Sequence, residues 1–377
     1  MSNRPKSWEQ LARSPRSELE RLTDASLARA IREELYPFST HFRSRLEAAG
    51  IRGGRISGLA DLRQVPPMTR AEWLVWQKDK REAPLLSPSP KGIRESWPFM
   101  RKLALSLAGR RAHAILMRSY APCMRLIAPG QGGDLELALS QSDIEALGEA
   151  GARLEDVADF GTPDVPLINA HAAAERVAYW QTVLGALRSG RRSSHVGADG
   201  TAAALGIVKD RAGVLAASLA TARDTARAAQ ENGLKLDSLR LLSIARSWSE
   251  KALTDFEREE LLRAFRAVGA GQVQLLTALV CDEARMSFSE CPGPATGYHL
   301  SPDLVAAEVD QPTSRSEANA GEGGEVLVTT LAGRGTALLR YRTGLYAPGG
   351  LSREPCPHCG RTLPRIPSSS EPIAVHA

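Results

Sequence analysis

Cys291 and His299 in ECPGPATGYH, and Cys356 and Cys359 in CPHCGR, are the residues of this chain best suited to chemistry, set out as a C-x7-H pair and a C-x2-C pair. Thiolate and imidazole donors in two close pairs are what tetrahedral zinc prefers. The chain has five cysteines and three of them fall in this pattern, which favours a metal site over free thiols in surface loops. A closed Cys3His set leaves no coordination position for water or substrate. Such a zinc is structural: it contributes folding free energy and no chemistry. His358, inside the knuckle, is the rival to His299, and it could serve only if the loop turned its ring inward.

The elements that must carry these pairs can be placed coarsely. From Gly321, GEGGEVLVTTLAGRGTALLRYRTG reads as two strands, EVLVTT and ALLRYRT, joined by an AGRG turn. Ser142 and Glu145 form a capping box that opens a helix through about Leu154. Thr254 or Asp255 caps FEREELLRAFRAVG, with Phe256, Leu261, Leu262 and Phe265 on one helical face. Asn232-Gly233 is a helix C-terminus. VQLLTALV, short and uniformly apolar, reads as a buried parallel strand. Helix and strand in alternation predict doubly wound α/β layers over 1–283. Strands and turns alone predict a small β-barrel-like subdomain carrying the zinc over 284–366, followed by a disordered tail, 367–377.

Composition agrees with a soluble α/β protein. With 377 residues, 43% hydrophobic, the chain can bury a large core and should split into subdomains. No apolar run approaches the roughly 18 residues of a membrane span, and MSNRPKSWEQLARSPRSELE lacks the apolar region of a signal peptide. The expectation is a cytoplasmic protein with no membrane partner. Cys123 and Cys281, left over from the metal set, suit a reducing compartment. The net charge of +5 comes from scattered arginines, GRR at 109–111 and RSGRR at 188–192 among them, read as surface charge. No basic run interleaves with aromatics, so nucleic acid is not expected as a partner.

The stretch between and around the metal pairs, ECPGPATGYHLSPDLVAAEVD, EVLVTT, ALLRYRTG and CPHCGRTLPRI, resembles the end of the large domain of phenylacetate-CoA ligases. LYPFSTHFRSRLEAAGI and ISGLADLRQVPPMTRAEW resemble that family's opening, with Arg70 where the family has Lys. The resemblance implies an adenylate-forming fold of the AMP-binding superfamily. It also implies chemistry in which a carboxylic acid and ATP give an acyl-adenylate and then a thioester, a zinc held by the Cys/His and Cys/Cys pairs, and a homodimer.

Four departures bear on that chemistry. The family's hydroxyl-rich phosphate loop matches Ala128 to Leu135, where Gly130, Gly132 and Gly133 remain as degenerate nucleotide-binding positions. No hydroxyl is left there, Pro129 removes an N–H donor and Asp134 adds negative charge. Of the segment whose Glu helps hold magnesium, only Glu283 survives, beside Asp282; it is the candidate catalytic residue. The strand whose Asp binds the ribose reads Tyr341-Arg342-Thr343-Gly344-Leu345, so Arg342 stays and the carboxylate is gone. The mobile C-terminal lysine domain has no counterpart after the CPHCGR run. These departures argue against efficient use of ATP and magnesium. The expectation is a noncatalytic homologue that binds an acyl or aryl carboxylate or thioester, a carrier protein or a partner enzyme. The alternative is a carboxylate-CoA or carrier-protein ligase, or an acyltransferase, completed by a separate chain, with Glu283, His195 or His171 as acid/base candidates.

Overall fold

A computed structural model describes residues 7–79, 85–173, 176–294, 296–311, 314–317 and 323–373. The chain divides into two compact units. The first gathers Met1–Ala146, Ser301–Arg353 and Thr362–Pro364; the second gathers Leu147–Leu300, Glu354–Arg361 and Arg365–Ala377.

In the first unit a helical N-terminal segment leads to the antiparallel hairpin β1 (Met124–Ala128) and β2 (Leu135–Leu139), whose connection is the glycine-rich loop. The second unit is built on β3 (Leu167–Ala170), β4 (Ser193–His195), β5 (Val214–Ser218), β6 (Leu241–Ser247), β7 (Gln274–Cys281) and β8 (Met286–Ser289), in the order β4-β3-β5-β6-β7-β8. All neighbours are parallel except β8, which turns back antiparallel on β7. Alternation across each strand divides the apolar side chains between two layers. Ile168, Leu215, Leu242 and Ile244 pack with the helices Gly200–Asp210, Leu219–Glu231 and Asp255–Ala267. Leu167, Val214, Ala216 and Leu241 pack on the other face with Phe160 and Ala186. A sheet covered on both faces needs apolar residues at successive positions, which is why VQLLTALV shows no alternation of polarity. The doubly wound expectation holds, with VQLLTALV as the buried parallel strand β7.

After β8 comes the two-residue strand β9 (Tyr298–His299). The first unit then adds β10 (Val305–Gln311), β11 (Ser314–Glu317), β12 (Gly324–Thr330) and β13 (Tyr341–Ala347), with antiparallel pairings β11-β10, β10-β12 and β12-β13. β14 (Arg365–Ile366) returns to pair with β9 in the second unit. The division expected after Glu283 falls inside the turn between β7 and β8.

Several local expectations need correction. The helix beginning at Gln141 is capped two residues earlier than read: Ser140 Oγ and the Asp143 carboxylate exchange the capping-box bonds, with Ser140 N–H donating to Asp143 at 2.8 Å. The Asp143 carboxylate is also the acceptor for the Arg334 and Gly335 N–H groups at 2.9 and 2.7 Å. Those bonds explain why AGRG is not a hairpin turn. Gly335 and Thr336 lie against β2, where Thr336 exchanges bonds with Ala138, so 337–340 stay outside the strand and β13 begins at Tyr341. Thr254 caps its helix with Glu257 as expected, but Phe256 is 76% exposed, and only Leu261 and Phe265 of the expected face are fully buried. Residues 367–373, assigned to a disordered tail, include a buried Ser370 whose carbonyl accepts from Arg246 at 3.1 Å; 374–377 lie outside the described residues.

One contact in the second unit pairs two glycines with no tolerance for a side chain on either. A Cβ at Gly151, in the helix Gln141–Val157, would lie 2.3 Å from the Gln181 carbonyl oxygen, and one at Gly185, in the helix Val177–Ser189, 2.6 Å from the Gly151 carbonyl carbon. The obstacle in each direction is backbone, which cannot swing aside. Gly151→Ala and Gly185→Ala are each expected to cost about 1–3 kcal/mol of unfolding free energy, read as a lower midpoint in denaturant unfolding of the whole chain. Wild-type midpoints in both variants would mean the helices do not approach this closely.

Candidate functional site

The four proposed ligands come together in the second unit. Cys291 Sγ lies 3.5 Å from Cys356 Sγ, Cys359 Sγ lies 3.9 Å from His299 Nε2, and all four ligand atoms lie within 4.8 Å of one another. Zn–S bonds of about 2.3 Å and a Zn–N bond of about 2.05 Å in a tetrahedron put ligand atoms roughly 3.6–3.8 Å apart, so the donor set fits a tetrahedral ion. The sulfur spacing is far too long for a disulfide, whose S–S length is about 2.05 Å. Cys291, Cys356 and His299 are buried and Cys359 is half-buried. Hydrogen bonding to Cys359 and then burial hold the Cys291 thiol far above its usual range. Cys359 is pulled down to about 2, by hydrogen bonding to Cys291 first and then to His299 and Arg361. A bound cation would replace the shared protons in such a cluster.

The backbone explains how residues so distant in sequence meet. Thr296 Oγ1 donates to the Cys291 carbonyl at 3.0 Å, and β9 pairs His299 with Arg365 of β14. The knuckle is closed by Gly360 N–H to the Cys356 carbonyl at 2.9 Å and Cys356 N–H to the Arg361 carbonyl at 2.8 Å, with Gly360 at φ +68°. The buried Arg365 then ties one half to the other, donating to the Thr296 carbonyl at 2.6 Å and the Glu354 carbonyl at 3.0 Å. His358 is exposed, lies over Gly293 and is outside the cluster. His299 Nδ1 is buried with no partner among the described residues, so the imidazole is held by its neighbours' packing and not by a second hydrogen bond.

The glycine-rich loop belongs to the first unit and is organised around Arg70. The guanidinium donates to the carbonyls of Ala128 at 2.7 Å, Gly133 at 2.8 Å and Gln131 at 3.3 Å. A Cβ on Gly130 would lie 2.7 Å from Arg70 Cζ, and Gly132 and Gly133 stand at φ +83° and +128°. These glycines therefore have a local reason: one admits the guanidinium and two make the turn. Gln77 fastens the far side, donating to the Asp134 carbonyl at 3.0 Å and accepting from Glu136 N–H at 2.8 Å.

Arg342, on β13 of the first unit, is engaged by the Glu325 carboxylate and by Asp310 at 3.0 Å. Leu345 is fully buried, and Gly344 before it stands at φ +73°, where the register of β12 and β13 shifts. The Leu345 side chain is thus part of the core. Glu283, in the second unit, sits in the turn after β7 and is 6% exposed. Asp282 accepts Arg285 N–H through its carbonyl at 2.9 Å, and Arg285 stands at φ +58°.

His171 and His195 follow β3 and end β4. Asn169 Oδ1 accepts His171 N–H at 3.2 Å, which fixes the amide so that Nδ2 faces His195 Nδ1 at 3.1 Å. His195 Nδ1 is then the acceptor, and its Nε2–H donates to Ser193 Oγ at 3.1 Å. Burial lowers the pKa of His195 and brings that of His171 down to about 4. Both are neutral rings at pH 7, and His171 is too weak a base for general-base work near neutrality. His171 borders a cavity with about 20 Å³ of room for water, lined by Ala216, Ser243, Ala245 and Ala278. Two buried oxygens without partners among the described residues, Glu155 Oε1 and Ser287 Oγ, belong to residues lining the same cavity, which is room and polarity enough for an ordered water.

No protein-family model and no curated protein matches the sequence. Solved structures do. An open conformation of 2-hydroxyisobutyryl-CoA ligase in complex with 2-HIB-AMP and CoA superimposes with a TM-score of 0.75 over 98% of this chain and 74% of that one, at 15% identity. The same ligase in the thioesterification state gives 0.75 over 98% and 72%, at 16% identity. The chain has the large-domain fold of an adenylate-forming ligase. That fold is shared by proteins of little sequence similarity, and at this identity it fixes architecture alone.

Two outcomes test this reading of the sites. Arg70→Ala leaves three loop carbonyls without their donor, and amide exchange at Gly133 should quicken by about tenfold or more; unchanged exchange would mean that the loop is held by other contacts. For His171, the folded-state pKa of about 4 lies below the ordinary 6.5, so the unfolded chain binds the extra proton first. Stability is complete above pH 6.5 and falls as pH drops toward 4, by up to about 3 kcal/mol. Urea unfolding across that window should show a shallower pH slope in His171→Gln than in the wild type.

Proposed function

We propose that this chain is an adenylate-forming-ligase-like protein, similar to phenylacetate-CoA ligases, that binds a carboxylate, its thioester, a carrier protein or a partner enzyme without forming an acyl-adenylate by itself. The observation that carries the reading is the Arg70 guanidinium bound to the carbonyls of Ala128, Gln131 and Gly133. A phosphate loop must turn backbone N–H groups and hydroxyls toward its anion, whereas this loop turns three carbonyls toward a cation and has no hydroxyl side chain. The engagement of Arg342 by two carboxylates and the burial of Leu345 support the same conclusion. The retained Glu283 at the carboxyl end of β7, where open α/β sheets bind ligands, favours the second reading, a ligase or acyltransferase completed by another chain.

The Cys291, His299, Cys356 and Cys359 cluster is proposed to hold a structural zinc. All four positions are filled by protein, so the ion has no part in chemistry. Cys356→Ser and Cys359→Ser should each abolish stoichiometric zinc measured by elemental analysis, and a strong chelator should lower the melting temperature of the wild type but not of the variants. Full-length protein that purifies without metal and melts unchanged after zinc addition would overturn the assignment.

Calorimetric titration with Mg-ATP and with a nonhydrolysable acyl-adenylate mimic tests the main proposal. No heat up to several millimolar ligand is expected. Saturable binding that disappears in Glu283→Ala would overturn the noncatalytic reading and favour the completed ligase.

A further inference from the structure

The helix Phe99–Leu107 of the first unit is turned inside out. Phe99, Met100, Leu103 and Leu107 lie within about 100° of arc on one face at 100° per residue, and Phe99, Met100 and Leu107 are 71%, 70% and 78% exposed. No residue of this helix is buried. Its Arg101 faces inward instead. Arg101 lies 3.6 Å from the centre of the Trp97 ring and reaches Glu33 at 3.2 Å and Glu34 at 2.8 Å, two carboxylates buried on the π-helical turn Ile31–Leu35. Lys102 donates to the Arg94 carbonyl at 3.1 Å. Tyr120, at the end of the next helix, Ala112–Tyr120, donates to Glu34 as well. Burying two carboxylates is costly unless each is paired, and here the paired cation fixes which way the helix faces. The fold thus holds an apolar stripe in solvent by means of an internal ion pair.

Near the stripe Arg101, Arg118 and Arg125 are paired with carboxylates, whereas Arg110 and Arg111 have no carboxylate partner among the described residues. Between Glu95 and Asp134 the sequence has six Lys or Arg residues and no carboxylate. Two of them, Arg110 and Arg111, stand exposed at the turn that follows Leu107, and Ile115 and Met117 of the next helix are 47% and 49% exposed. Large apolar side chains beside unopposed arginines on a short helical hairpin match the chemistry of a headgroup and acyl-chain boundary. A second copy of this chain would bring Arg110 and Arg111 against like charge. A lipid surface supplies phosphates to the arginines and hydrocarbon to Phe99, Met100 and Leu107 at once, and needs no socket shaped for them. We propose that the helical hairpin 99–119 is a docking face for a bilayer containing anionic phospholipid. No helix among the described residues is long and apolar enough to cross a membrane; surface docking requires none.

Cosedimentation of the whole protein with vesicles of phosphatidylcholine containing phosphatidylglycerol, and with phosphatidylcholine alone, tests this. Binding is expected to the anionic vesicles, weakened by salt. Phe99→Ser with Leu107→Ser should weaken it by about tenfold or more, and Arg110→Gln with Arg111→Gln by about tenfold. Unchanged melting curves would show that these exposed substitutions leave the fold intact. Three results would overturn the proposal: no dependence on anionic lipid, wild-type binding by the Phe99/Leu107 variant, or self-association in light scattering that the same variant abolishes. Retention on immobilised polyglutamate in place of vesicle binding would reassign the face to an acidic protein.

Discussion

A carbonyl oxygen taken out of water must find a donor, and outside helices and sheets the ladder cannot supply one. In this chain arginine does. Arg191, buried in the second unit, donates to the carbonyls of Phe160, Gly161, Thr162 and Val165 while its Nε meets Glu155 at 2.8 Å. Arg340 donates to the Arg63 and Val65 carbonyls and pairs with Glu308 at 2.6 Å. Arg365 joins the two halves of the metal cluster by the same means, and Arg70 closes the glycine-rich loop. Five donors in a rigid plane, always charged, let one side chain serve several carbonyls at once. The irregular segments between the sheets depend on these hubs, and so does the geometry of both candidate sites.

The same constraint sets the polarity of the glycine-rich loop. A loop that presents carbonyls attracts cations, and one that presents N–H groups attracts anions. Changing between the two requires rotation of peptide planes as well as exchange of side chains. Arg70 therefore has a consequence beyond its own charge, because its fork stabilises the orientation of the peptides around it. Leu345 and Arg342 tell a similar story on β13, where one side chain belongs to the core and the other to a carboxylate pair.

Much of the architecture was readable from the chain. The unbroken apolar run of β7, the Thr254 cap and the Asn232-Gly233 stop are local signals with local causes, and the clustering of Cys291, His299, Cys356 and Cys359 survives separation in sequence because each pair is itself local. What escaped the reading was set by partners far along the chain. Arg191 in RSGRR looks like surface charge, and nothing nearby reveals the four carbonyls it serves. The AGRG segment has the composition of a turn, and only Asp143 and Ala138, nearly two hundred residues earlier, hold it as an extended connection. The helical hairpin was unreadable for another reason: an apolar stripe is ordinarily taken to face inward, and here a buried carboxylate pair reverses it.

The Cys/His cluster also imposes an order of events. Cys291 and Cys356 are 65 residues apart, and the segment between them includes strands that belong to the other unit. During synthesis the second unit can form its parallel sheet well before Cys359 has been made, but the ligand set is complete only afterwards. Closing a loop of this length costs on the order of 3–4 kcal/mol in chain entropy, and a zinc held as proposed would offset it only at the end. With a zinc held as proposed, a chain starved of metal would finish with its parallel sheet built and its Cys/His loops unfastened, so that metal supply would bear on its fate as much as folding speed.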